Sequence, residues 1–187
     1  RQMCIRDRDN LDKGEVGHVY GLGVSGFLGS TIEIESTVFP AKKKGHGTIK
    51  FNDTAGSMAK DSVFNAASVI RKITNMDIND YDIHVNVIGG GKIDGPSAGA
   101  AITVCIISAL TERPIRQDVA ITGEISLRGN IKPVGGIFEK IYGARRKGIK
   151  LVAIPKDNEK EVPLGLEDIE VKSISHIEEL MEIVFEK

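Results

Sequence analysis

Residues 81–110 read YDIHVNVIGGGKIDGPSAGAAITVCIISAL, and this stretch decides the fold. Isoleucine and valine alternate with polar residues over 81–88, which is typical of a strand with one buried face. Residues 98–110 are apolar almost all round, which predicts a buried helix. The segment between them is rich in glycine, so its backbone can turn sharply and expose amides to a ligand. The sequence therefore predicts a strand, a candidate binding loop and a core helix in succession.

The same two periodicities predict further elements on both sides of this stretch. Strands are expected at 16–24, 31–38, 48–51, 119–125, 151–154 and 169–174, with a short return strand that follows a turn at 128–130 and ends at Pro133. Helices are expected at 57–73, 135–147 and 176–185. This irregular succession of strands and helices, with no Pro/Ser-rich linker, predicts one α+β domain over residues 9–187, with mixed sheets and packed helices.

The first residues of the chain differ from the rest. Residues 1–8, RQMCIRDR, follow neither the helical nor the strand period, and we interpret them as a non-native or disordered leader. Because the chain begins with Arg1 rather than Met, we expect it to be a piece of a longer protein.

Composition and charge argue against several classes of protein. The 25 Lys and Arg residues nearly balance the 26 Asp and Glu residues, so no overall charge attracts the chain to nucleic acid or to an anionic membrane. No apolar run reaches the roughly 18 residues of a membrane-spanning helix. The two cysteines, Cys4 and Cys105, suggest neither a disulfide framework nor a metal site, which favours a reducing compartment such as the cytoplasm.

Ser97 is the first candidate for chemistry, because it stands at the predicted start of the buried helix. Unpaired N–H groups and the positive end of the helix dipole gather at such a position and favour an oxyanion or a phosphate. Asp94 or Ser97 could equally well cap the helix without any chemical role. The residues of this segment alone leave both interpretations open.

A nucleophilic serine needs a base, and a lysine is the remaining candidate. The four histidines form no obvious triad with Ser97, and no cluster has the spacing of a zinc or calcium site. A lysine in an apolar pocket can act as a base if its pKa falls from about 10.4 to roughly 7–8. Lys140 is the candidate, since Ile137, Ile141 and Ala144 surround it on its predicted helix. Most lysines are nevertheless solvent-exposed charges without a catalytic role, and the residues around Lys140 alone leave this alternative open.

Three motifs in the same order and spacing resemble the proteolytic domain of Lon proteases. They are DGPSAG at 94–99, TGEISLRG at 122–129 and PVGGIFEK at 133–140. The resemblance covers nearly everything from about Gly14 to the end, and is closest to the Lon-like branch of spore-forming bacteria. It implies the Lon proteolytic-domain fold, which is similar to domain 2 of ribosomal protein S5.

The resemblance also implies an activity and the residues that perform it. The chain would be the serine endopeptidase domain of an ATP-dependent protease, with Ser97 as nucleophile and Lys140 as general base. Supporting roles fall to Thr122, which would hydrogen-bond the lysine, to Asp94, which occupies or regulates the site in some members, and to Gly95, Pro96 and Glu124.

Partners outside the chain are implied in the same way. Lon enzymes couple this domain to an AAA+ ATPase, so ATP and Mg²⁺ are expected in an upstream module of the same polypeptide and no cofactor in this domain. No G-x-x-x-x-G-K-[ST] phosphate loop occurs in these residues. We expect unfolded or damaged polypeptides as substrates, a homohexameric ring, and no membrane or nucleic-acid partner.

Two other functions compete with this interpretation. A small-molecule kinase of the galactokinase-like superfamily would use a glycine- and serine-rich loop at a helix start to bind ATP. A non-catalytic Lon-like oligomerisation module would need neither Ser97 nor Lys140.

Overall fold

The computed structural model describes residues 13–52, 57–88 and 95–186, with the backbone alone for 57–60. The strands are β1 (His18–Ser25), β2 (Leu28–Pro40), β3 (Ile49–Phe51), β4 (Tyr81–Ile88), β5 (Val119–Ile121), β6 (Glu124–Ile125), β7 (Ile131–Lys132), β8 (Leu151–Pro155) and β9 (Glu170–Ile174). The helices are α1 (Ser57–Thr74), α2 (Gly99–Thr111), α3 (Ile137–Lys147) and α4 (Ile177–Val184). Short 3₁₀ turns cover Ile78–Asp80, Pro96–Ala98 and Lys156–Glu161.

Seven strands form one mixed sheet in the order β3-β4-β2-β1-β5-β8-β9. The pairs β1–β2 and β2–β4 are antiparallel, and the other four pairs are parallel. Strands β6 and β7 form a separate two-stranded antiparallel sheet. The mixed α/β architecture agrees with the α+β domain that the sequence predicts.

The helices pack on both faces of the large sheet, so the core has two parts. On one face, apolar side chains of α1, α2 and α4 form one cluster with alternate residues of the strands. On the other face, Ile137, Ile141 and Ala144 of α3 pack against Tyr20 and Leu22 of β1. Every residue of α2 from Gly99 to Ser108 is buried, as its apolar sequence predicts. In the described part of the chain, no helix has the length and apolar character to cross a membrane.

Two of the predicted boundaries that are wrong have glycines as their physical reason, and β2 also begins three residues before the predicted residue 31. The strand expected over 119–125 is broken at Thr122–Gly123 into β5 and β6, because the Gly123 N–H bonds to Ser97 before α2 and its carbonyl to Ala100 in the first turn of α2, instead of to a neighbouring strand. The helix expected from residue 135 begins at Ile137, because Gly136 has a left-handed backbone with φ 70°. The leader 1–8 and the loop 89–94, with Asp94, lie outside the described residues.

Helix α3 is held against the β1–β2 hairpin by a close approach of two backbones. A Cβ atom on Gly143 would lie 2.4 Å from the carbonyl carbon of Gly29, and one on Gly29 would lie 1.7 Å from the Glu139 carbonyl oxygen. Arg146 adds a hydrogen bond from its guanidinium to the Gly29 carbonyl. Only glycine at both positions allows this contact, which fixes the height of α3 over the sheet.

Gly143→Ala is therefore expected to destabilise the domain, although alanine is the better helix former by about 1 kcal/mol. Backbone atoms cannot move aside as side chains do, so overpacking of about 1–3 kcal/mol outweighs the helix propensity. Chemical denaturation measures the effect. Gly135→Ala is the control, since a Cβ there meets nothing within 4 Å. Equal stability of the two variants would contradict the close approach.

Candidate active site

Lys140 lies on the buried side of α3, one turn after the helix begins. Its side chain is 3% exposed, and its backbone N–H donates to the Gly136 carbonyl at 2.9 Å. The ammonium loses its hydration in this position, and burial lowers the pKa of Lys140 from 10.5 to about 8. About a tenth of the amine is therefore unprotonated at pH 7, a far larger share than at the ordinary pKa of 10.5, as a general base requires.

Thr122 holds the amine of Lys140 in place. The Nζ atom of Lys140 donates a hydrogen bond to Oγ1 of Thr122 at 3.1 Å, and both side chains are buried. Thr122 directly follows β5, and its N–H donates to the Ala153 carbonyl of the neighbouring strand β8 at 3.1 Å. The hydroxyl is therefore presented from the large sheet, and as an uncharged partner it offsets only part of the cost of burying an ammonium.

Ser97 lies in the 3₁₀ turn Pro96–Ala98 that leads directly into α2, and it is half-buried. Its carbonyl accepts a hydrogen bond from the Gly123 N–H at 2.9 Å, and the Ala100 N–H donates to the Gly123 carbonyl at 3.0 Å. A side chain on Gly123 would collide with Ile131, since its Cβ would lie 2.6 Å from Cγ2. The turn that carries Ser97 is thus tied to the residue that follows Thr122.

The consequence is that one short segment anchors both candidate catalytic residues. Thr122 binds the amine of Lys140 through its side chain, and the adjacent Gly123 binds the Ser97 turn through its backbone. The three motifs that are separate in sequence meet here: one supplies the serine turn, one supplies Thr122 and Gly123, and one supplies the lysine.

A cleft of about 340 Å³ borders this segment. Pro96 and Glu124 form one side of it, and Ser62, Phe64 and Asn65 of α1 form the other with Asp61. The Nδ2 group of Asn65 donates to the Ile125 carbonyl at 3.1 Å, which fixes α1 against β6. Sequence reasoning missed these α1 residues, because their only signal is a polar position beside the apolar stripe of a helix.

The histidines contact other parts of the molecule. His18 contacts Gln117 and Glu33 through its two ring nitrogens, at 2.5 and 3.3 Å. His176 caps α4, and His84 points outward from β4 as its place in the alternation predicts. Over residues 13–52, 57–88 and 95–186, no group of three or more His, Cys, Asp or Glu side chains is arranged to hold a metal ion.

Comparison with known proteins gives the family. Residues 3–187 match the model of the Lon protease (S16) C-terminal proteolytic domain. The chain belongs to this family. Among curated Lon relatives, it is 41% identical to the archaeal Lon protease of Pyrococcus abyssi over 175 residues, which are 91% of this chain and 18% of the relative. It is 40% identical to Lon protease 2 of Bacillus subtilis over 181 residues, which are 90% of this chain and 33% of the relative.

A bacterial Lon protease from Fervidobacterium nodosum gives the same result, with 40% identity over 188 residues, 96% of this chain and 23% of the relative. The resemblance to the Lon proteolytic domain that the three motifs indicate is thus confirmed, and the branch of spore-forming bacteria stays a prediction, since archaeal and bacterial relatives match equally well. The chain spans about a fifth to a third of the length of these Lon relatives.

Proposed function

We propose that the chain hydrolyses peptide bonds as a serine endopeptidase, with Ser97 as nucleophile and Lys140 as general base. The observation that carries the proposal is the buried Lys140 amine, which donates to Thr122 and whose pKa is lowered to about 8. Burial alone would make Lys140 a liability, since an unpaired buried ammonium costs several kcal/mol. Its partner Thr122 directly precedes Gly123, which is bonded to the Ser97 turn, and this link to the serine supports the use of the buried amine as a base.

The reaction proceeds in two halves. In the first, the Ser97 hydroxyl oxygen attacks the scissile carbonyl carbon while its proton passes to neutral Lys140. The tetrahedral intermediate then breaks its C–N bond, and Lys140 returns the proton to the leaving amine. In the second half, water attacks the acyl-enzyme ester and gives its proton to Lys140. The C–O bond breaks, and the proton returns to Ser97.

The turn before α2 supplies stabilisation for the oxyanion. Pro96 has no N–H, so we assign the oxyanion donors to the backbone N–H groups of Gly95 and Ser97. One such donor is typically worth about 2.7–4 kcal/mol in the transition state. Glu124, on the wall of the cleft beside Pro96, contacts the bound polypeptide, and Asp94 regulates access to the dyad.

Cleavage combined with mass spectrometry tests the proposal. The chain is incubated with casein or a fluorogenic peptide, quenched rapidly and digested, and the peptide that contains Ser97 is searched for the mass of an acyl adduct. The adduct is expected on Ser97 in the unaltered chain and on no residue of the Ser97→Ala chain. Cleavage that persists in the Ser97→Ala chain would overturn the proposal.

Thr122 is proposed as a positioning residue, and Thr122→Val is expected to lower kcat/KM about 10- to 100-fold, because the amine loses the partner that aims it. In the unaltered chain the hydrogen bond to Thr122 favours the ammonium over the neutral amine. Its loss lowers the pKa of Lys140 further, so the acidic limb of the pH–rate profile is expected to move to lower pH. Thr122→Ser keeps the hydroxyl and should restore both values. An unchanged profile in Thr122→Val would argue against the role.

The wider setting is proposed from the length of the relatives. Because the chain spans a fifth to a third of them, we place an AAA+ ATPase upstream in the same polypeptide, where ATP and Mg²⁺ bind, and no cofactor in this domain. The substrates are unfolded or damaged proteins in cytoplasmic quality control, and the working form is a homohexameric ring without membrane or nucleic-acid partners. The domain occupies residues 9–187 and has the fold of domain 2 of ribosomal protein S5.

A further inference from the structure

A second and larger groove lies beside the 340 Å³ cleft at Pro96 and Glu124, between α1, β3 and the 3₁₀ turn Ile78–Asp80. Its volume is about 540 Å³, within the usual range for pockets that hold a ligand. Apolar side chains dominate its lining, among them Ile49, Phe51, Val63, Ala67 and Ile78. The mechanism above uses none of these residues.

The polar rim of the groove is internally balanced. Arg71 of α1 pairs with Asp77 at 3.6 Å, and the other carboxylate oxygen of Asp77 accepts a hydrogen bond from the Asn79 N–H at 2.9 Å. Because the two opposite charges face each other, the rim does not select an ionic ligand. The chemistry of the groove therefore favours an apolar group.

Phe64 connects this groove with the cleft next to the Ser97 turn, because it lines both cavities. Its side chain is 73% exposed, which leaves a large apolar surface open between the two. From Asn65 in the cleft to Arg71 at the far end of the groove, α1 advances about 9 Å. An extended polypeptide covers that distance with about three residues.

The backbone of β3 could also bind an extended polypeptide. This strand is the first of the large sheet, and within the described residues its only strand partner is β4. An extended chain can add to such a free edge through main-chain hydrogen bonds while its side chains enter the adjoining pocket.

We infer that this groove binds an apolar side chain of the polypeptide substrate, about three residues from the scissile bond, with Phe64 as the wall between the two subsites. The inference rests on the proposed function. It gives the domain a physical preference for unfolded proteins, because clustered apolar side chains in an extended backbone are exposed in unfolded chains and buried in folded ones.

Two fluorogenic peptides that share the same four residues around the scissile bond test the inference. One carries Leu and Phe at the third to fifth positions on either side, and the other carries Ser there. The unaltered chain is expected to show a KM about tenfold lower for the apolar peptide, the gain typical of burying one large apolar side chain. Ala67→Gln, which places a polar side chain in the groove, should reduce the difference to less than about twofold. Lys72→Gln, at an exposed position of the same helix, should keep it.

A second pair of variants and a binding measurement separate the possible failures. Phe64→Gln should lose the preference and Phe27→Gln, a 94% exposed control, should retain it. Fluorescence anisotropy with the Ser97→Ala chain measures the affinity for both peptides without cleavage. Equal KM and equal affinity for the two peptides would overturn the inference, even if both are cleaved.

If Ala67→Gln instead abolishes self-association in sedimentation and leaves the peptide preference intact, a second copy occupies the groove and the inference is wrong. Absence of any Ser97-dependent cleavage would count against the proposed function separately.

Discussion

Ser97→Ala is expected to lower kcat/KM for a fluorogenic peptide by at least about a thousandfold, while the chain keeps its fold. Without the hydroxyl oxygen no acyl-enzyme forms, and the remaining donors and binding groups supply only a residual rate. The structural cost is small, because Ser97 is half-buried and its backbone carbonyl, not its side chain, makes the bond to Gly123. Initial rates and circular dichroism measure the two effects.

The control for this experiment is Ser175→Ala, which removes an exposed hydroxyl from the connection between β9 and α4. It should cleave the peptide at the rate of the unaltered chain. If the Ser97→Ala chain folds and retains more than a few per cent of the activity, Ser97 is not the nucleophile. A loss of activity together with a loss of secondary structure in Ser97→Ala would show a structural role for the hydroxyl that the hydrogen bonds do not indicate.

The strand and the helix on either side of the Ser97 segment were predictable because their sequence patterns are strong. The alternation in β4 and the uniformly apolar α2 specify a strand and a core helix, and the structure has both. Lys140 could be named as a candidate from the apolar residues around it on one helix. Its burial could not, because burial depends on the hairpin that covers α3, and the Gly29–Gly143 approach joins residues that are far apart in sequence.

The remaining errors and omissions have the same physical origin. Residues 119–125 follow the alternation of a strand in sequence. The Gly123 backbone nevertheless hydrogen-bonds to Ser97 and Ala100, which are distant in sequence, and these bonds end the strand. The contribution of α1 to the cleft is likewise a matter of packing. Asn65 reaches the Ile125 carbonyl only because α1 crosses β6 in the fold. Local periodicity predicts elements well, and it does not predict which of their faces meet.

Lys140→Met is expected to abolish cleavage to a similar extent as Ser97→Ala, because methionine keeps the length and burial of the side chain but accepts no proton. In the unaltered chain, kcat/KM should rise about tenfold per pH unit up to pH 8 and then level off, since only the neutral amine acts as base and its pKa is about 8. Initial rates of peptide cleavage from pH 6 to pH 9.5 measure this pH profile of kcat/KM. Lys150→Met, an exposed control, should keep both the activity and the profile. Rates that still rise about tenfold per pH unit at pH 9.5 would show that the base is not a desolvated lysine.

The same substitution has a consequence for stability that does not depend on cleavage. Between pH 8 and pH 10.5 the unfolded chain holds a proton on Lys140 that the folded chain does not, so the free energy of unfolding rises with pH across this window. Below pH 8 the folded chain bears the full cost of the lowered pKa. Lys140→Met removes that cost but leaves the Thr122 hydroxyl without its donor, which offsets about 1 kcal/mol. At pH 7 the variant is therefore expected to be more stable by on the order of 2 kcal/mol, and the advantage should shrink as the pH rises toward 10. Urea denaturation at several pH values measures it against Lys150→Met. A variant that is less stable than the control at pH 7 would mean that the hydrogen-bonded amine stabilises the fold, and that burial does not lower its pKa.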